Sequence, residues 1–175
     1  KGFEFDANKN ITIEQDLSRR DITINSIAQE VLTGKIIDPF NGIEDIKNGI
    51  IRKTTDAFNE DPLRVYRVAR FASTLEFKVE KETLEAMNSL NQELHTLSKE
   101  RVFTEFKKAL EAKKPSIFFN VLRQANVLDV HFKEIYNLIG KEQPIQYHPE
   151  GDSYNHTMIV VDNSSKLTYD LEIKF

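Results

Sequence analysis

The chain has 175 residues, with 28 acids against 24 bases for a formal net charge of −4. It contains no cysteine, which excludes disulfides, thiolate zinc sites and cysteine nucleophiles. Twelve Phe within a 39% apolar composition argue against disorder. No apolar run approaches the roughly 20 residues of a membrane helix.

Lys1–Asn10 is short, polar and acidic, unlike a secretory leader, so a soluble cytoplasmic protein is the default expectation. The net charge argues against a generic polycation for nucleic acid, though a local basic surface stays possible. Only 8 of the 24 bases are arginine, and five of those fall in Arg19–Arg20 and in Arg64, Arg67 and Arg70. Arginine suits planar, bidentate recognition of phosphates and bases, so this concentration points to chemistry in two places.

Taken in chain order, the opening KGFEFD alternates like a strand. Helices are predicted over Ile13–Arg19 and Asn25–Val31, and strands over Lys35–Ile37 and Ile50–Arg52. Between the strands, Asp38–Pro39–Phe40–Asn41–Gly42 is turn punctuation, with Asn41 and Gly42 able to take positive φ. From Asp56 the pattern becomes helical. Asp61–Pro62 is a helix start, a capping carboxylate before a proline, and Val65, Val68, Ala69 and Ala72 share one face.

A further helix starts near Glu80. Another starts near Ser98, with Val102, Phe103, Phe106, Ala109 and Leu110 on one face. Pro115 opens the next helix, and Leu128–Leu138 follows. Lys141–Tyr147 reads as a linker, and Asp152 leads a last helical stretch. The closing YDLEIKF reads as a helix stopped in mid-pattern, so the chain is expected to be an internal piece of something longer.

Four segments carry candidate chemistry, each with a plainer alternative. Arg19, Arg20, Asp21, Thr23 and Asn25 could hold a triphosphate and a ribose hydroxyl; they could equally form a helix corner with solvated arginines and Asp21 or Thr23 as cap. In Glu60-Asp61-Pro62-Leu63-Arg64-Val65-Tyr66-Arg67, an acid beside an arginine matches the donor and acceptor pattern of a base edge. Alternatively, Glu60 and Arg64 form an i, i+4 pair. Such roles use one or two charges and leave three arginines unexplained.

Residues 101–114 hold Arg101, Lys107, Lys108, Lys113 and Lys114 against Glu105 and Glu111. That basic face suits a phosphate backbone or simply solvent. His148, Glu150, Asp152 and His156 could be metal ligands, although Gly151 and Asp152 also make a turn and a helix cap.

Together these segments resemble the class II tRNA nucleotidyltransferase (CCA-adding enzyme)/poly(A) polymerase family. RRDITINSIA is similar to its RRDFTINA motif, and GKIIDPFNGIEDIKNGIIR to its DPFGGxxDLxxxxIR motif. EDPLRVYRVARFA resembles EDPLRxLRAxRFA, SKERVFTEFKKAL resembles ERIxxEFxKxL, and HPEGDSYNHTM resembles the entry to an HD domain. The order is collinear from Asp16 onward.

The resemblance implies an α+β, predominantly α-helical fold. Residues 1–55 would be the C-terminal part of a nucleotidyltransferase head, 56–140 a helical neck and body, and 141–175 a linker entering an HD domain. It implies that Arg19, Arg20, Asp21 and Asn25 contact triphosphate and ribose, and that Glu60, Asp61, Arg64 and Arg67 form the nucleotide template. Asp38, Pro39, Gly42, Asp45 and Arg52 would make a hinge, with Asn41 standing where the family has glycine. Arg101, Lys107 and Lys108 would face RNA, and His156 would be the first ligand of a second divalent metal in the HD domain.

The implied partners are tRNA, CTP and ATP, with no membrane. The implied cofactor is Mg²⁺, which the family holds through two carboxylates on a glycine-led strand. Glu4 and Asp6 lack that glycine turn, so the carboxylates are expected upstream and this piece alone is expected to be inactive. A poly(A) polymerase and a non-catalytic helical RNA-binding module are the competing readings.

Overall fold

The computed structural model describes residues 11–144, 146, 151–168 and 170. The strand expected over KGFEFD lies outside these residues, as do His148, Glu150 and, apart from Asp170, the closing YDLEIKF. The architecture is α+β and mostly helical, with strands only two residues long.

Helix α1 (Ile13–Ser18) starts on a reciprocal cap. The Gln15 N–H donates to Thr12 Oγ1 at 3.2 Å, and the Thr12 N–H donates to Gln15 Oε1 at 3.0 Å. The helix expected over Asn25–Val31 does not form. A 3₁₀ turn at Thr23–Asn25 runs instead into β1 (Ala28–Gln29), which pairs antiparallel with β2 (Ile36–Ile37).

Tertiary bonding overrides local pattern there. Thr23 Oγ1 and Ser26 Oγ are both engaged, donating to Asp45 Oδ2 and to the Ile22 carbonyl. Val31 and Leu32 sit at the hairpin tip and are 96% and 94% exposed.

Helix α2 (Gly42–Asn48) was not expected either. Asp38 caps it from a distance, accepting from the N–H groups of Gly42 at 2.7 Å and Ile43 at 2.9 Å. Asn41 does take the left-handed conformation, at φ 58°, whereas Gly42 enters the helix. Strand β3 (Ile50–Ile51) then pairs in parallel with β4 (Lys78–Val79).

Helix α3 (Arg64–Leu75) begins two residues after the expected proline, because Asp61 Oδ1 accepts from the Leu63 N–H at 3.1 Å and closes a lead-in turn first. α4 (Lys81–Ser89), α5 (Asn91–Leu94), α6 (Lys99–Leu110) and α7 (Ser116–Gln124) follow. The segment expected over Leu128–Leu138 breaks into α8 (Leu128–His131) and α9 (Lys133–Tyr136). The break falls at Phe132, whose ring packs against Phe106, Phe118 and Phe119 at centroid distances of 5.2, 5.6 and 5.5 Å.

Helix α3 packs chiefly against α6 and α7, burying Val65, Tyr66, Val68, Ala69 and Ala72. α6 buries Val102, Phe106, Ala109 and Leu110 but leaves Phe103 60% exposed. Phe103 therefore does not join that face as expected, and Glu105 turns inward beside the apolar residues. One hydrophobic cluster runs from Ile22 and Ile51 through the helices to Met158 and Val161.

Helix α10 (Ser153–Leu167) is capped by Asp152, which accepts from Asn155 N–H at 2.9 Å and Gly140 N–H at 2.7 Å. Those bonds hold its carboxyl below the usual aspartate range. α10 is fastened to α7 by Asp162, which accepts from the Ser116 N–H at 3.0 Å and its hydroxyl at 2.8 Å. Tyr154 adds a bond to Asn120 at 3.0 Å, and burial pushes its phenol up to about 12.

Tyr66 links α3 to α8. Burial, then Asp129, raises its phenol above the ordinary tyrosine range, so the hydroxyl stays protonated, and it shares a hydrogen bond with His131 Nδ1 at 2.6 Å. Burial, followed by the neighbouring His95 and Lys99, lowers the His131 pKa. The folded value is below the unfolded one, so this contribution is full above the ordinary histidine pKa of about 6.5 and is lost as pH falls through that window. Thermal unfolding of the protein at pH 7.5 and 5.5 should show a drop that His131→Gln makes smaller. An equal drop in both proteins would refute the assignment.

Candidate functional site

Three arginines project from α3 at i, i+3 and i+6, and each reaches a different element. Arg64 donates from Nη1 to the Ala57 carbonyl at 2.6 Å and from Nη2 to the Arg19 carbonyl at 2.7 Å. Arg67 donates from both Nε and Nη2 to Asp21 Oδ2 at 2.7 Å. Arg70 donates to Glu105 Oε2 on α6 at 2.5 Å. The ladder thus joins the RRD segment, the turn before α3, and α6.

Asp21 is 5% exposed. Its second oxygen accepts from the Ile22 N–H and from Asn25 Nδ2, both at 3.0 Å. The structure therefore couples Asp21 and Asn25 to each other and to Arg67. Arg19 is exposed and its side chain has no hydrogen bond or ion pair among the described residues, while Arg20 pairs with Asp16 at 3.1 Å on the surface.

Asp61 offers its Oδ2 to Arg101 Nη2 at 3.5 Å, and Glu60 is exposed at the end of the 3₁₀ turn Asp56–Glu60. The site is thus a junction with Asp61 and Arg64 three residues apart in sequence and Arg19 at its edge. Arg101 faces Asp61, and Lys108 lies 3.5 Å from Glu105. Of the three basic residues expected to face RNA, Lys107 alone is without an ion pair among the described residues.

The second cluster lies where α2, β3 and α4 meet. Asp45, 5% exposed, accepts from Thr23 Oγ1 at 2.7 Å and from Arg52 Nε at 3.1 Å. Arg52 also pairs with Glu80. Thr83 closes the set, donating to Glu80 at 3.1 Å and accepting from the Lys53 N–H at 2.9 Å.

Gly42 is required by close approach: a Cβ there would lie 2.3 Å from the Thr23 carbonyl oxygen. Pro39 is exposed. Sequence reading missed Glu80 and Thr83, since their partners are 28 and 30 residues away and no local pattern reports such pairing.

Among the described residues, no three His, Asp or Glu side chains form a group that could hold a metal. Asp152 serves as a helix cap, and His156 sits on the first turn of α10. None of the described helices is long and apolar enough to cross a membrane.

Residues 3–52 match the family described as the poly A polymerase head domain, and residues 76–138 match the probable RNA and SrmB-binding site of polymerase A. A multifunctional CCA protein of Mannheimia succiniciproducens is 48% identical over 98% of this chain. The chain belongs to the class II CCA-adding enzyme/poly(A) polymerase family.

It spans 42% of that relative, and 43% of a multifunctional CCA protein of Shewanella frigidimarina that is 46% identical over the whole chain. The Bacillus stearothermophilus CCA-adding enzyme in complex with CTP superposes with a TM-score of 0.62 and 36% identity, over 66% of this chain and 30% of that one. A tRNA nucleotidyltransferase complexed with a primer tRNA and an incoming ATP analog gives 0.65 and 27% identity, over 93% and 53%.

Proposed function

We propose that the chain is the nucleotide-selecting part of a tRNA nucleotidyltransferase that adds C and/or A from CTP and ATP to the tRNA 3′ end. The observation that carries this reading is the α3 arginine ladder, which ties the RRD segment to the start of the helix, where Asp61 precedes Arg64 by three residues. Residues 1–55 belong to the head, 56–140 to the neck and body, and 141–175 to the entry of an HD domain in which His156 is the first ligand. A tRNA substrate places the protein in the cytoplasm.

Cytosine and adenine each present an exocyclic amino donor beside a ring-nitrogen acceptor. A carboxylate at Asp61 takes the first and a guanidinium at Arg64 supplies the second. Uracil and guanine reverse that pattern, so they leave both protein groups unpaired, at a penalty.

Arg19 and Arg20 bind the triphosphate, Asp21 and Asn25 meet the ribose, and Arg67 holds Asp21 in place. Asp38, Pro39, Gly42, Asp45 and Arg52 form the hinge. Among the described residues no group of carboxylates fits Mg²⁺; on this reading the metal-holding carboxylates belong to the parent protein, and the chain alone is expected to be inactive.

In the intact protein, Arg64→Ala should reduce the preference for CTP over UTP roughly 10- to 100-fold, since each such pair discriminates by about 1–3 kcal/mol. Incorporation into tRNA lacking its CCA end measures this, and an unchanged preference overturns the template assignment. The family also contains poly(A) polymerases. Extension with CTP alone separates the two, because a poly(A) polymerase would not use it.

A further inference from the structure

Helix α6 carries Lys99, Phe103 and Lys107 at i, i+4 and i+8, one continuous stripe that is exposed along its length. Phe103 lies two positions beyond Arg101, about 200° round the helix, so this stripe faces away from the Asp61 contact. Phe103 is 60% exposed, with its ring edge-on to Phe106 at 6.2 Å. The core does not need it, since Phe106, Phe118, Phe119 and Phe132 already close on one another.

Beside this stripe a groove of about 560 Å³ opens between α6 and the α8–α9 corner, walled by Phe103, Phe106, Val130 and Phe132. Lys99 and Lys133 stand on its rim, together with Glu100 and Glu134. Lys99, Lys107 and Lys133 make no ion pair among the described residues. The Glu100 carboxylate is turned to its own backbone N–H and to Ser98 at the start of α6, which lowers its pKa and leaves it facing the helix end. His131 lies on the same wall, and burial first, then the neighbouring His95 and Lys99, lowers its pKa.

We propose that this groove seats an unpaired nucleotide of the RNA substrate, its base stacked on Phe103 and its flanking phosphates on Lys99, Lys107 and Lys133. A single exposed ring between unpaired lysines offers one π-face and several cations, the combination that binds single-stranded nucleic acid without reading its sequence. An apolar peptide helix would instead ask for several exposed apolar residues at helical spacing, and the stripe has one. The proposal rests on the tRNA reading above and adds to it a contact outside the nucleotide site.

The test uses the full-length protein and a tRNA transcript lacking its CCA end. Phe103→Ala should weaken tRNA binding about tenfold, with the salt dependence unchanged, and Phe103→Tyr should bind like the wild type. Replacing Lys99 and Lys133 together by Gln should reduce the slope of log K against log salt by about 1.4, near 0.7 for each single-strand phosphate contact. CTP binding without RNA should stay constant throughout. If the wild type binds tRNA and these variants bind it equally well, the groove assignment is overturned in favour of a protein ligand. If the wild type binds CTP but no tRNA, the tRNA reading falls and the groove assignment with it.

Discussion

Arg70→Met is expected to destabilise the protein by about 3 kcal/mol, read as a lower urea midpoint at unchanged slope. The Arg70 and Glu105 side chains are 14% and 6% exposed, and their contact is 2.5 Å. Removing the guanidinium strands a carboxylate in a place where water cannot replace its donor. Breaking a buried pair from one side is worth about 3–5 kcal/mol.

Lys108 lies 3.5 Å from the other Glu105 oxygen but is 52% exposed, so it offsets only a part. Arg70 also stacks on Phe71 at 3.9 Å, a contact Met replaces in area though not in charge. The double variant Arg70→Met/Glu105→Leu should recover to within about 1 kcal/mol of wild type, because an apolar pair removes the stranded charge. A single variant as stable as wild type would show that this pair does not hold α3 to α6.

Gly42→Ala should be nearly as damaging, for a different reason. Gly42 does not have a positive φ, so the backbone itself tolerates alanine. The obstacle is space: the added carbon meets the Thr23 carbonyl oxygen at 2.3 Å, the carbonyl carbon at 2.8 Å and Ile27 Cγ1 at 2.9 Å.

Thr23 cannot retreat. Its N–H donates to the Arg52 carbonyl at 2.9 Å and its hydroxyl to Asp45 at 2.7 Å. Overpacking against fixed backbone sits at the top of the usual range, about 3 kcal/mol. Gly49→Ala is the control: its φ is 64° and a Cβ would meet only Phe77 at 3.6 Å, which limits the loss to about 1–2 kcal/mol of conformational strain. Equal losses at the two positions would mean that close approach at Gly42 is not what requires glycine.

The sequence made the helices of the body readable because their apolar stripes coincide with the buried faces, as in Val65, Val68, Ala69 and Ala72 of α3. It failed at Asn25–Val31, where the chain forms a hairpin and Val31 lies on its exposed tip. It failed again at Gly42–Asn48, whose capping carboxylate, Asp38, lies before the turn rather than next to the helix.

For the site, the residue types at Asp61, Arg64 and Arg67 were legible from composition and spacing. Their bonding was not. Whether Arg67 is solvated or locked onto Asp21 depends on two segments 46 residues apart meeting. For the same reason the sequence does not report that Arg101, read as part of a basic RNA-facing surface, stands 3.5 Å from Asp61.

The anchoring of Arg64 has a consequence for how such a protein can drift. Both acceptors that orient its guanidinium are main-chain carbonyls, those of Ala57 and Arg19. Any residue at either position supplies the same oxygen, so the side chain at 57 can change over generations without turning Arg64, and at Arg19 only the triphosphate contact constrains the choice. Asp21 has no such latitude, because Arg67 is held by a side-chain carboxylate and a substitution at either residue calls for a matching one at the other.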